Sequence, residues 1–237
     1  MINSLTKPQL ILLHGWGGSK NSLAELSSKL EEKYVCHVLE MPGHGTTPSM
    51  DFPWEMRNYA TWLDKYLKSN MIEEYTLLGH SFGGKIILEA VTSGILKPNE
   101  IILIDSNGIK PKNSLKKNIF KFLSTIFNPL LNSDIGQLIK KFVYRFIIRE
   151  VDYAKTSGMI RESFKIFNEQ HYDSKLQNIS IPTIIIWGKD DKVTPLWMGK
   201  KLNEGIKNSK LFVIDGTHGV PLKSPNEVAE IILNNTK

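Results

Sequence analysis

Three residue types in a fixed relation turn a hydroxyl into a nucleophile. A serine on a tight turn presents the oxygen, a histidine takes its proton, and a carboxylate holds the histidine. The stretch LLGHSFGGK (77–85) offers the serine. Gly79-His80-Ser81-Phe82-Gly83 reads as a G-x-S-x-G turn, in which small residues two before and two after the serine let neighbouring backbone pass close. A strand-like run, YTLLGHS (75–81), leads in and a helix-like run, GGKIILEAV (83–91), follows. Ser81 Oγ is thereby expected above the carboxyl edge of a sheet. The same stretch supports a rival reading as a phosphate-binding loop. Gly79 through Gly84 and Lys85 match G-x-x-x-x-G-K, and IILID (101–105) ends in an acid as a metal-holding strand does. That reading lacks a ligand: position 86 is Ile where the metal needs a Ser or Thr hydroxyl, and phosphoryl transfer depends on metal-held charge.

The base and acid must come from elsewhere in the chain. Of six histidines, His218 stands in a short loop, GTHGVP (216–221), between a strand-like run and the last helix. His37 falls within a strand, His44 in a PGHG turn, His171 at the end of a long inserted segment, and His14 and His80 inside glycine loops; a structural role suits each. IIIWGKDDKVTP (184–195) sets two aspartates, Asp190 and Asp191, just past a strand. Donors for a developing oxyanion are expected from the backbone N–H of Phe82, after the nucleophile, and of Trp16 in HGWGG (14–18).

The elements that position these residues follow a βαβ rhythm. Six short apolar runs, 9–15, 35–41, 75–81, 100–106, 182–188 and 210–216, lack the alternation of a half-exposed strand and suit strands buried on both faces. Helix candidates lie at 21–33, 53–69, 83–93, 196–207 and 225–235, the last opened by a cap-like Ser224 and by Pro225. A doubly wound, mostly parallel α/β sheet of about six strands is expected. The rhythm stops between Asn107 and Ile181, where three or four helices are predicted. The expected organisation is a core of residues 1–106 and 181–237 with a helical cap inserted at 107–180.

Charge singles out the same insertion. The 237 residues carry a net charge of +6. Residues 107–177 hold 13 Lys or Arg against 6 Asp or Glu, and the remainder holds 17 against 18. Lys141, Arg145 and Arg149, spaced i, i+4, i+8, line one helical face beside an apolar face of Leu138, Phe142 and Phe146. Such a face also suits plain solvation. On a near-neutral core, however, it points to an acidic partner: a carboxylate-bearing substrate, a coenzyme A or carrier-protein acyl donor, or an anionic lipid surface. Nucleic acid lacks an accompanying recognition motif. No H-E-x-x-H and no cysteine pair occurs, so neither metal nor cofactor is expected. The single cysteine, Cys36, and the lack of any apolar run near 20 residues predict a soluble, cytoplasmic protein.

HGWGG, EMPGHGTTPS (40–49), GHSFGG, WGKDDKVTP and GTHGVPLKSP together resemble the α/β-hydrolase superfamily, in its branch of small serine esterases with a helical cap. HGWG with a four-helix cap is also similar to the pimeloyl-carrier-protein methyl esterases of biotin synthesis. The order Ser…Asp…His is that of the superfamily. Only eight residues precede QLILL where the family usually begins with two further strands, so the resemblance implies a shortened sheet, ordered 4-3-5-6-7-8 in family strand numbering. The family pattern W-G-x-x-D-x-x-x-P selects Asp191 as the acid and leaves Asp190 as a loop residue. The implied chemistry is acyl transfer: Ser81 attacks an ester or thioester carbonyl, His218 moves the proton, Asp191 orients His218, and the Trp16 and Phe82 N–H groups hold the oxyanion. A C–C bond hydrolase of a β-diketone-like acid would use the same residues, and a ligand receptor on this scaffold would retain them without turnover.

Overall fold

A strand buried on both faces has to be apolar at successive positions, as IILI (101–104) and IIIW (184–187) are within the six runs. The computed structural model describes residues 7–48, 50–111 and 159–236. It folds the runs into β1 (Gln9–Leu13), β2 (Val35–Leu39), β3 (Tyr75–His80), β4 (Glu100–Ile104), β5 (Thr183–Gly188) and β6 (Ser209–Ile214). These form one sheet of order β2-β1-β3-β4-β5-β6 in which every neighbouring pair is parallel. The order is the one implied by the family resemblance. Every residue of β3, β4 and β5 is buried, whereas the edge strands expose Val35 and Val213.

Successive side chains point to opposite faces, so each central strand feeds two cores. Leu77, Ile101, Leu103, Ile185 and Trp187 enter the first. It is closed by α2 (Met56–Ser69), α3 (Phe82–Thr92), α4 (Met159–Asn168) and α5 (Leu196–Gly205). Leu78, Ile102, Ile104, Ile184 and Ile186 enter the second, under α1 (Ala24–Leu30) and α7 (Pro225–Asn235). Helix α2 shows why it lies where it does: Met56, Tyr59, Ala60, Leu63 and Leu67 recur at helical spacing and are all buried. Burying each large apolar side chain contributes about 1.5–3 kcal/mol.

Three details depart from the sequence expectation. The helix expected at 21–33 begins as a 3-10 turn, Lys20–Leu23, and ends at Leu30. A short helix, α6 (Val220–Lys223), precedes α7 and carried no sequence signal of its own. Ser224 occupies the cap position of α7, followed by Pro225, but its side chain makes no capping hydrogen bond.

The described residues through Ile109 and from Met159 onward belong to one compact unit. Most of the expected cap, with Lys141, Arg145 and Arg149, lies outside the described residues. Its described end does not stand apart from the core unit. Ser163 Oγ in α4 accepts the Trp54 N–H at 2.7 Å, Gln170 Oε1 accepts the Met56 N–H at 3.1 Å, and Phe167 is buried in the first core.

Candidate active site

Ser81 lies between β3 and α3 with φ 53° and ψ −110°. A non-glycine residue in such a conformation costs about 1–3 kcal/mol and persists only when its surroundings fix it. They do so here. The Ser81 N–H donates to Ile104 O at 2.9 Å, and Ser81 O accepts the Asn107 N–H at 3.0 Å. Glycine is required on both sides for lack of space: a Cβ on Gly79 would lie 2.4 Å from Gly84 N, and one on Gly83 would lie 2.3 Å from Leu13 O. The spacing read from the sequence thus corresponds to two close backbone approaches.

The turn brings Ser81 to His218, which follows β6. Ser81 Oγ donates to His218 Nε2 at 2.9 Å, and His218 Nδ1 donates to Asp191 Oδ2 at 2.8 Å. Asp191 follows β5, and its side chain is fully buried. Its Oδ1 accepts the N–H groups of Val193 at 2.7 Å and Thr194 at 3.0 Å. Burial pushes the Asp191 carboxyl up. The hydrogen bond and charge of His218, with the Thr194 hydroxyl and Val193 N–H, outweigh burial and hold it below the usual carboxylate value. Asp191 is therefore a carboxylate at neutral pH. Asp190 is exposed and contributes its backbone, donating to Gly216 O at 2.8 Å and so strapping the acid loop to the base loop.

Phe82 adjoins Ser81 in the chain, and the loop that carries Trp16 passes beside it. Phe82 is the first residue of α3, whose opening N–H groups have no acceptor within the helix and carry its positive dipole end. The loop before Trp16 runs against the serine: a Cβ on Gly15 would stand 3.4 Å from Ser81 Cβ and 3.1 Å from His80 Nδ1. The Trp16 and Phe82 rings meet edge to face at 5.0 Å. Phe164 and Phe167 of α4 also pack on Trp16, at 5.3 and 4.8 Å. An apolar wall thus lies beside the serine.

Two residues that sequence reasoning left out support the site. His80 Nε2 donates to the backbone carbonyl of His218 at 2.8 Å. Burial, with His218 close by, holds the His80 ring down to about 3, so it is neutral. Thr194 Oγ1 stands 2.7 Å from Asp191 Oδ2, 3.0 Å from Asp105 O and 3.1 Å from His218 Nδ1. The sequence marked His80 only as part of a glycine loop, and Thr194 carried no signal beyond its place in KVTP. Other histidines do structural work. His37 lies between Tyr66 Oη and Gln9 Oε1, His14 Nε2 accepts the Met41 N–H, and His44 Nδ1 donates to Pro42 O.

The phosphate-loop reading fails on direction. Lys85 is fully buried and donates to Phe167 O at 2.5 Å, and Ile86 faces the first core. Neither side chain is placed to meet a phosphate or its metal.

Comparison with known proteins agrees with this architecture. An uncharacterised hydrolase of Bacillus subtilis (YugF) is 25% identical over 94% of this chain and 88% of its own. A pimeloyl-[acyl-carrier protein] methyl ester esterase of Aeromonas hydrophila is 23% identical over 95% of this chain and 94% of its own. An esterase from Exiguobacterium antarcticum shares the fold with a TM-score of 0.74 at 20% identity, over 97% of this chain and 91% of that one. Residues 10–231 match the family model described as the alpha/beta hydrolase family, and the chain belongs to that family.

Proposed function

We propose that the protein is a serine hydrolase that cleaves a carboxylic ester or thioester through an acyl-enzyme. One observation carries the reading: the continuous chain Ser81 Oγ, His218 Nε2, His218 Nδ1, Asp191 Oδ2, with both links at hydrogen-bond distance. Ser81 Oγ adds to the carbonyl carbon as His218 Nε2 takes its proton. Asp191 stabilises the imidazolium so formed, and the Trp16 and Phe82 N–H groups receive the oxyanion. Collapse of the tetrahedral intermediate expels the alcohol or thiol, which leaves with the proton held on His218. Water then repeats the sequence on the acyl-enzyme, and Ser81 recovers its proton.

The partly buried rings of Trp16 and Phe164 favour an apolar acyl part. The basic face of Lys141, Arg145 and Arg149, within the cap proposed at 107–180, favours an acid or a carrier on the same substrate. The methyl ester of a carrier-linked acyl chain, on which the relative from Aeromonas hydrophila acts by name, combines both features. The test is labelling of the protein by a fluorophosphonate together with turnover of p-nitrophenyl butyrate. Both are expected to vanish in Ser81→Ala, with a fall in kcat of about 10⁴–10⁶. Labelling at another residue, or turnover surviving the substitution, refutes the mechanism; a well-folded wild-type protein with no turnover of any acyl ester would mark a receptor instead.

A further inference from the structure

Asp105 is the acid that made IILID resemble a metal-holding strand, and the reaction above gives it no part. It is fully buried at the end of β4 with φ 45°, a left-handed conformation uncommon for a non-glycine residue. Its Oδ1 accepts the Gly188 N–H at 2.8 Å. Its Oδ2 is buried and meets no hydrogen-bond partner among the described residues. A buried carboxylate oxygen without a donor is rare enough to require an explanation.

The surroundings supply one. A carboxylate oxygen of Asp105, a ring nitrogen of His80 and a ring nitrogen of His218 all lie within 4.8 Å of one another. His80 is neutral and its Nε2–H donates to His218 O. Its Nδ1 therefore has no proton to offer Asp105. That leaves the Val220 backbone N–H and the His218 ring, and of these only the ring gains positive charge during the proposed reaction. The Thr194 hydroxyl touches the Asp105 backbone, the Asp191 carboxylate and His218 Nδ1, so one residue ties both acids to the base. The two acids come from the ends of adjacent strands, β4 and β5.

We propose that Asp105 is a second positioning carboxyl for His218, one that shares with Asp191 the stabilisation of the imidazolium and substitutes for it when Asp191 is lost. The inference rests on the serine-hydrolase reading. The titratable groups that face Asp105 are His80 at the end of β3, Asp191 after β5 and His218 after β6. Burial pushes the Asp105 carboxyl up to about 7, and the negative charge of Asp191 adds to this. Two neighbouring carboxyls resist being ionised together. Replacing Asp191 by Asn removes that repulsion, and Asp105 then carries the charge more readily.

The test is a double-mutant cycle in the full chain, with kcat and KM measured on p-nitrophenyl butyrate and thermal unfolding followed in parallel. Asp105→Asn keeps an oxygen for the Gly188 N–H. Alone it is expected to lower kcat by about 2- to 5-fold, and on the Asp191→Asn background by about 10- to 100-fold more, with KM nearly constant. The loss in Tm is expected to be the same in both backgrounds. An equal kcat factor in both backgrounds would make Asp105 merely structural and overturn the proposal. So would an Asp191→Asn variant already as inactive as Ser81→Ala, since nothing would remain for Asp105 to support. Activity surviving in Ser81→Ala would instead sink the hydrolase reading itself. Should Asp105→Asn not purify as folded protein, Asp105→Ser makes the same comparison.

Discussion

Gly83→Ala adds a single methyl group at the point where α3 crosses β1. The added Cβ would lie 2.3 Å from Leu13 O and 2.7 Å from both Leu13 C and Leu13 Cβ. Carbon and oxygen need more than 3 Å, so the backbones must separate by roughly 0.7 Å or more, and the neighbours are main-chain atoms that cannot rotate away. Overpacking of this kind costs about 1–3 kcal/mol, which for a chain of this size lowers Tm by about 2–12 °C. The functional cost is expected to be larger in relative terms. Leu13 ends β1 and leads directly into the His14–Gly15–Trp16 loop beside Ser81, and a misplacement near 1 Å of groups that meet the transition state costs about 10² in rate. Gly94→Ala is the control. Gly94 has a positive φ, 73°, unlike Gly83, but a Cβ there meets nothing within 4 Å. It should lose about 1–2 kcal/mol through backbone strain alone, with kcat unchanged. The assay is kcat on p-nitrophenyl butyrate alongside thermal unfolding. If Gly83→Ala loses no more kcat than Gly94→Ala, the close approach of β1 and α3 does not position the site.

Two further outcomes follow from named contacts. Asp190→Asn changes an exposed side chain and keeps the N–H that donates to Gly216 O, so kcat should stay within about 2-fold, whereas Asp191→Asn should lose about 10²-fold or more; steady-state kinetics giving the reverse ranking would reassign the acid. Replacing Arg145 and Arg149 together by Glu should raise KM for an acidic acyl donor and leave a neutral p-nitrophenyl ester unaffected, with the difference fading in salt as screening shortens to about 8 Å at physiological ionic strength; equal effects on both substrates would mean that the charge only solvates the helix.

What was legible in the sequence was whatever depends on local pattern. Runs such as IILI (101–104) and IIIW (184–187) are apolar at every step, and only a sheet covered on both faces accommodates that. The motif glycines were legible because their spacing reflects backbone crossings, which leave no latitude for a side chain. The choice between Asp190 and Asp191 was not legible from residue type, since adjacent residues point to opposite sides of a loop and only the family spacing separated them; the structure buries one and exposes the other. Thr194, His80 and Asp105 were missed for a common reason. Each acts by meeting a residue distant in sequence, as His80 meets His218 and Asp105 meets Gly188. The 3-10 start of the first helix was missed because local hydrophobic spacing is the same for a 3-10 turn and the first turn of an α-helix.

Lys85 tests the physical difference between the two readings of GHSFGGK. Both place negative charge at a helix N-terminus, where α3 presents free N–H groups: one a phosphate, the other an oxyanion. They part over the lysine, which a phosphate loop would turn toward the ligand. In this fold Lys85 is fully buried and donates to Phe167 O near the end of α4. Burial holds its amine down from the usual lysine value to about 7. In the unfolded chain the group keeps a pKa near 10.4, so between about pH 7 and 10 the unfolded state binds more protons than the folded one. Stability attributable to this group is therefore complete above about pH 10 and is lost as pH falls toward 7, with a slope of about 1.4 kcal/mol per pH unit. Lys85→Met should abolish that slope, shown by denaturant unfolding at pH 7, 8 and 9 against wild type, while leaving kcat on p-nitrophenyl butyrate within a few-fold. Parallel stability profiles for the two proteins would mean that Lys85 is charged and solvated in the fold. A loss of nucleoside triphosphate binding in the variant would revive the phosphate loop.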